Sequence, residues 1–393
     1  MAAVPYDVVT TAEARAQAAD NPLSFLRVSR PELELPDEAD PFGDAVYDRA
    51  ARNFERLKKS TLVVDDEPSV YVYRLRTGGH TQTGVAACFS LDEYERDVIK
   101  KHERTRRDKE DDRTRHMMAI GAQTGPVFLV HRGSADLDAM TGRVAAEPPL
   151  FDFPAADGVQ HSVWRVSGVS CDELVATFDQ ITPLYIADGH HRAASAARAR
   201  NDIRDRGLVR STLGGDADCA SFLAVAFPDH DVRILSYNRV VKDLGRLTAS
   251  DFLQAVRDRF TVESGPATPA RRGEIAMYVE GRWHTLRARV PAGGSDPDPI
   301  GSLDVSVLQD RLLDPVLGIA DVRTDKRIDF VGGARGTREL ERLVETGSAA
   351  VAFSMYPVSV TDLMAVSDAG AMMPPKSTWF EPKLRDGLLI HLI

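Results

Sequence analysis

Leu184-Tyr185-Ile186-Ala187-Asp188-Gly189-His190-His191-Arg192-Ala193-Ala194-Ser195-Ala196-Ala197 is the most sharply patterned stretch of this chain. It opens as a short apolar run of strand type, breaks at Asp188-Gly189, and continues into strong helix formers. The spacing predicts strand, tight turn, helix. Gly189, His190, His191 and Arg192 then sit at or just before a helix N-terminus. Free backbone N–H groups and the positive end of the helix dipole favour an anion there. Two imidazoles and a guanidinium beside such an end point to a phosphate or carboxylate. Gly189 suits a turn that needs positive φ. Asp188 has two readings: an N-cap, or a catalytic or magnesium-binding carboxylate.

Outward from this stretch, further strands are expected at 70–75, 84–91, 126–131, 162–166, 220–227 and 232–237, and a short one at Phe25-Leu26-Arg27-Val28. Gly78-Gly79 lies in a hairpin connection, read as a longer loop. Helical periods run over 11–16, capped by Thr10 or Thr11, over 45–59 and over 172–178. A second unit is expected from about residue 246, with helices at 251–260, 305–313, 338–346 and 360–366. It also has a hairpin of 274–280 with 282–290, a loop at 293–299, a strand at 349–355 and a closing strand at 388–393. Strands with interspersed helices make the fold class α/β, or α+β with a mixed sheet. The expected domains are 1–245, carrying the anion turn, and 246–393.

The 393 residues suffice for two or three domains. Apolar residues at 43% and charged residues at 27% are those of a globular protein with a sizeable core. A net charge of −10 argues against nonspecific nucleic-acid binding. No apolar run is long enough to span a membrane, and no basic segment followed by an apolar one marks a secretory leader. Cys88, Cys171 and Cys219 are scattered, without zinc spacing, and read as small buried residues in a reducing cytoplasm.

The motif Ile186-Ala187-Asp188-Gly189-His190-His191-Arg192 resembles the signature of the family catalogued as domain of unknown function 1015. Val4-Pro5-Tyr6-Asp7-Val8, Asn21-Pro22-Leu23-Ser24-Phe25-Leu26 and Arg30-Pro31-Glu32 agree with it. So do Lys101-His102-Glu103-Arg104-Thr105, Lys109-Glu110-Asp111-Asp112-Arg113 and Pro374-Pro375-Lys376-Ser377-Thr378-Trp379-Phe380. The resemblance spans nearly the whole chain and implies no activity. More distantly, the Asp-Gly-His-His-Arg turn is similar to the phosphate-binding turn of the ParB/sulfiredoxin superfamily, which includes free-serine kinases. That resemblance implies a core of this type over about 70–240.

The run from Lys100 to His116 carries both signs of charge. It reads as a solvated helix face, or as a site where basic residues hold polyphosphate while carboxylates hold magnesium or take a hydroxyl proton. Phosphoryl transfer needs that combination, because its catalysis is mostly positioning and charge neutralisation. On this second reading Glu103, Asp188 and His191 are the catalytic candidates, Glu103 being the general base. Gly189, His190, His191, Arg192, Lys101 and Arg104 bind phosphate, with Lys376 and Ser377 added by the family motif. Asp111 and Asp112 hold Mg2+, and ATP or ADP is the nucleotide. The expected function is a nucleotide-dependent phosphotransferase acting on a small hydroxylated metabolite, serine first. The alternatives are a noncatalytic nucleotide or anion sensor and a phosphohydrolase.

Other chemistries are set aside by particular residues. Gly370-Ala371-Met372-Met373-Pro374-Pro375-Lys376-Ser377 has P-loop spacing, but Pro375 replaces a glycine and has no N–H for a phosphate. His190 stands where sulfiredoxin chemistry needs cysteine. The acidic charge and strand-bearing C-terminal half argue against a DNA-binding ParB module. No dinucleotide fingerprint follows a strand, and no Gly-x-Ser-x-Gly elbow exists.

Overall fold

Two units make up the computed structural model, Met1–Val232 with Pro382–Ile393, and Arg233–Glu381. The described residues are 1–65, 67–211, 217–289 and 299–393. The boundary therefore falls at 232/233 rather than 245/246, and the final segment returns to the first unit.

The first unit is built on an eight-stranded sheet. Its strands are β1 (Ser69–Thr77), β2 (His80–Ser90), β3 (Ile99–Lys100), β4 (Val127–His131), β5 (Phe151–Pro154), β6 (Gln160–Ser167), β7 (Leu184–Asp188) and β8 (Ser221–Pro228). Their order is β3-β7-β4-β8-β2-β1-β6-β5. The pairs β3·β7 and β4·β8 are parallel and the others antiparallel, so the sheet is mixed. The β1–β2 connection is tighter than expected. Gly78 and Gly79, at φ +52° and +81°, form a two-residue turn, a conformation that costs glycine little.

Helices α1 (Asp44–Ser60), α2 (Arg107–Ile120) and α3 (His190–Asp205) complete the part of the unit that carries the site. α1 buries Val46, Ala50, Phe54 and Leu57, a single helical face. α3 buries Ala193, Ala196, Ala197 and Ala199 in one cluster with Leu129, Ile186 and Phe222. Alanines let the helix lie close on the sheet. Each large apolar side chain buried there contributes about 1.5–3 kcal/mol. α2 lies along α3, where Ser195 Oγ donates to the Glu110 carbonyl at 3.2 Å.

Phe25 to Val28, expected as a strand, lies instead at a one-turn helix, Leu26–Ser29, with Phe25 and Leu26 buried against Phe54 and Leu57. Thr10 caps the helix Thr11–Ala18 through a reciprocal bond with Glu13. Cys171 and Cys219 are buried, but Cys88 is exposed.

The second unit holds a six-stranded antiparallel sheet: β9 (Tyr237–Val241), β10 (Phe260–Ser264), β11 (Ile275–Val279), β12 (Arg282–Ala288), β13 (Ile328–Gly332) and β14 (Val351–Met355). The order is β10-β12-β11-β14-β9-β13. Its helices include Ala249–Arg257, Gly336–Glu345 and Val360–Asp368. Val290 and most of the expected loop at 293–299 lie outside the described residues. The expected closing strand shortens to His391–Leu392, which pairs with Ala122–Gln123 in the first unit. Among the described residues, no helix is long and apolar enough to cross a membrane.

Candidate functional site

β3 and β7 run parallel, with Ile99 opposite Leu184 and Lys100 opposite Tyr185. Parallel neighbours end on the same edge of a sheet, so the loop 101–106 and the turn Asp188-Gly189 emerge side by side. Ligands in open α/β sheets gather at such carboxyl ends. Two main-chain donors tie the loop to the start of α3. The His102 N–H donates to His190 Nε2 at 3.4 Å, and the Arg106 N–H to His191 Nε2 at 3.0 Å.

Gly189 precedes α3 at φ +99°, and no side chain caps the helix. A Cβ there would stand 3.0 Å from Arg192 Nε and 3.1 Å from its Cζ. Arg192 has little room to yield, because its Nη1 donates to the Pro126 carbonyl and its Nη2 lies 3.5 Å from Asp188. Gly189→Ala is therefore expected to cost about 1–2 kcal/mol, the penalty of a left-handed backbone at a residue with a Cβ. A lowered urea midpoint with an unchanged slope would show it, and an unchanged midpoint would refute it.

Asp188 ends β7 and is not the helix cap. Its carboxylate accepts from Lys383 Nζ at 3.0 Å and faces Arg192. Burial pushes its pKa up, but Lys383 and Arg192 outweigh that and hold it well below the usual carboxylate range. Two cations thus face one carboxylate beside an uncapped helix N-terminus.

His102 and His190 are 1% and 5% exposed, and their rings meet edge to face with centroids 4.5 Å apart. Burial lowers the His102 pKa to about 4. Burial and the neighbouring His102 drive that of His190 well below its ordinary value. Both rings are neutral at pH 7. His102, Glu103 and His190 each offer a ligand atom within 4.8 Å of the other two.

The remaining expected residues are placed as follows. Lys101 Nζ turns back to the segment ahead of β3, donating to the Tyr94 carbonyl at 2.6 Å and pairing with Asp97 at 3.1 Å. Arg104 is exposed. Asp111 pairs with Arg198, while Asp112 pairs with Arg113 at 2.7 Å and accepts from the Tyr47 hydroxyl at 2.9 Å. Asp111 shares Arg198 with Glu110, and Asp112 is held by Arg113, so the pair does not fit the magnesium ligand set expected of it. Lys376 and Ser377 belong to the second unit. There the Lys376 carbonyl accepts from Arg239 at 3.2 Å, and Ser377 Oγ donates to the Pro374 carbonyl at 2.6 Å.

Sequence reasoning missed His102, Lys383 and Asp386. His102 lies inside a quoted motif, yet only the parallel pairing of β3 and β7 brings it to His190. Lys383 stands 195 residues from Asp188, and no local pattern marks it. Asp386 is buried beside Arg192, Arg113 and Asp7, and its main chain bonds reciprocally with Ala3.

Solved structures overlap this architecture in part. A free serine kinase in complex with AMP is 15% identical, with 75% of this chain and 86% of that chain covered and a TM-score of 0.37. A mutant free serine kinase in complex with ADP is 14% identical over 75% and 87%, with a TM-score of 0.37. SbnI with a C-terminal truncation, from Staphylococcus aureus, is 12% identical over 78% and 87%, with a TM-score of 0.41. Overlap at these scores assigns no activity. No curated protein matches the chain in sequence. A family profile does match it, over residues 1–306, which include β3, β7, the turn and α3. The chain belongs to the family described as Protein of unknown function (DUF1015).

Proposed function

We propose that this protein is a nucleotide-dependent phosphotransferase acting on a small hydroxylated metabolite, with serine the first acceptor to try. The observation that carries this reading is the arrangement of Lys383 and Arg192 about Asp188 beside the uncapped start of α3, with Glu103 on the adjoining loop. The N–H groups of His190, His191 and Arg192, the His191 ring and the cationic pair receive the phosphates of ATP or ADP. The acceptor hydroxyl oxygen attacks the terminal phosphorus, and its proton passes to Glu103. The bond from that phosphorus to the bridging oxygen breaks, and its electron pair stays on the nucleotide. Positioning and charge neutralisation provide most of the rate enhancement in such a reaction.

The first test is a thermal-shift panel of ATP, ADP, CTP and GTP, each with and without Mg2+. A ligand at about 100 times its Kd stabilises by about 2.7 kcal/mol, a readily visible shift. A shift with one nucleotide is expected, followed by its consumption when serine or a related alcohol is present. His191→Ala should abolish turnover while leaving the melting curve of the unliganded protein intact. An unchanged rate would remove His191 from the site. Binding without turnover would make the protein a sensor, and free phosphate released without acceptor would make it a hydrolase. No shift with any nucleotide would end the phosphotransfer reading.

A further inference from the structure

We propose that His102, Glu103 and His190 form a binding site for a divalent first-row transition metal, of the class that prefers imidazole over water and carboxylate. The donor atoms stand within 4.8 Å of one another, so one ion can reach all three. His102 is 1% exposed, and its Nδ1 has no hydrogen-bond partner among the described residues. A buried acceptor left unpaired costs about 1–3 kcal/mol, so such an atom points to a missing ligand. The His102 N–H contact to His190 Nε2, at 3.4 Å, is at the long end of hydrogen bonding, and little is lost if a cation draws that ring away.

The donor set selects the ion. Mg2+ demands oxygen ligands and keeps several waters, whereas two imidazoles and one carboxylate suit Zn2+, Co2+, Fe2+ or Ni2+. Three protein ligands are the number found in catalytic rather than structural zinc sites, and they leave coordination positions open to a phosphate or hydroxyl oxygen. A cation at a helix N-terminus meets the positive end of the dipole. Here the carboxylate of Glu103, as one of the three ligands, supplies the compensating negative charge. Ligation through one oxygen of Glu103 leaves the second oxygen in place to accept a proton. The site stands apart from the phosphotransfer reading, since it would serve a hydrolase equally, and it is tested with metal alone.

The experiment uses the full chain stripped with chelator and titrated calorimetrically with Co2+, Zn2+ and Mg2+ in the absence of nucleotide. One equivalent of Co2+ or Zn2+ is expected to bind, at least 100-fold more tightly than Mg2+, and Co2+ should develop visible d–d bands. His102→Ala should weaken Co2+ binding at least 10-fold. Tighter binding of Mg2+, absence of binding, or full affinity in a folded His102→Ala variant would overturn the proposal. Should that variant fail to fold, the wild-type chain decides the matter through its imidazole proton resonances on Co2+ addition. Shifts at His102 and His190 support the site. Shifts confined to another histidine overturn it, His230 being the obvious competitor because its Nε2 lies 3.6 Å from Asp138.

Discussion

Glu103→Gln should lower phosphotransfer about 10²- to 10⁴-fold, the usual contribution of a positioned general base. The amide keeps the size of the carboxylate but cannot take the hydroxyl proton. Each factor of ten is about 1.36 kcal/mol of barrier, so the expected loss is about 3–5 kcal/mol. Nucleotide binding relies on other groups, namely the N-terminus of α3, Lys383 and Arg192, so the nucleotide-dependent thermal shift should survive. The loss should therefore fall on kcat, with KM for the nucleotide nearly unchanged. Repeating the assay at saturating Co2+ separates proton transfer from metal retention, because only a metal-binding defect is repaired by added metal. Retained turnover with the same nucleotide would exclude Glu103 as the base.

Asp386→Asn should change how stability depends on pH. Asp386 is 2% exposed, and its Oδ1 has no hydrogen-bond partner among the described residues. Burial, reinforced by Asp7, raises its pKa to about 7 against the pull of Arg192, Arg113 and the Tyr6 main chain. Below about pH 4 the group is protonated in the folded and unfolded chain alike and costs nothing. Between pH 4 and pH 7 the unfolded chain gives up the proton while the folded chain keeps it, so stability falls as pH rises. At about 1.36 kcal/mol per unit, the cost approaches about 4 kcal/mol at pH 7. The amide does not titrate. Relative to wild type, the variant should gain stability progressively from pH 4 to pH 7 and no further above that. Asp188, whose shift has the opposite sign, is common to both proteins and cancels in the difference. Urea unfolding at pH 4, 5.5 and 7 measures it, and parallel pH profiles would refute it.

The strand–turn–helix of 184–197 was legible because three local signals coincide there: an apolar run, a glycine at the break and a run of alanines. The hairpin of β1 and β2 and the helix α1 were legible for similar reasons, since period and punctuation are local properties. Phe25 to Val28 was misread because an aromatic and a β-branched residue favour a strand, while burial of Phe25 and Leu26 against α1 favours a helical turn. Asp111 and Asp112 looked like metal ligands because a charge run does not show which acid faces which base. Arg198, more than eighty residues away, takes the first, and the adjacent Arg113 takes the second. Lys383 and Asp386 reach the site only through the return of the C-terminal segment, which no periodicity announces.

That return has a consequence for how the protein is made. Residues 1–232 emerge from the ribosome first, yet Lys383, Asp386 and the strand that pairs with Ala122 and Gln123 follow only after the intervening residues 233–381. At about 5–20 residues per second, the nascent first unit waits roughly 10–30 s with Asp188 lacking its lysine. Through that interval the edge at Ala122 and Gln123 is open to other strands. The second unit can fold in the meantime from contiguous sequence, so the unit begun first is the one finished last.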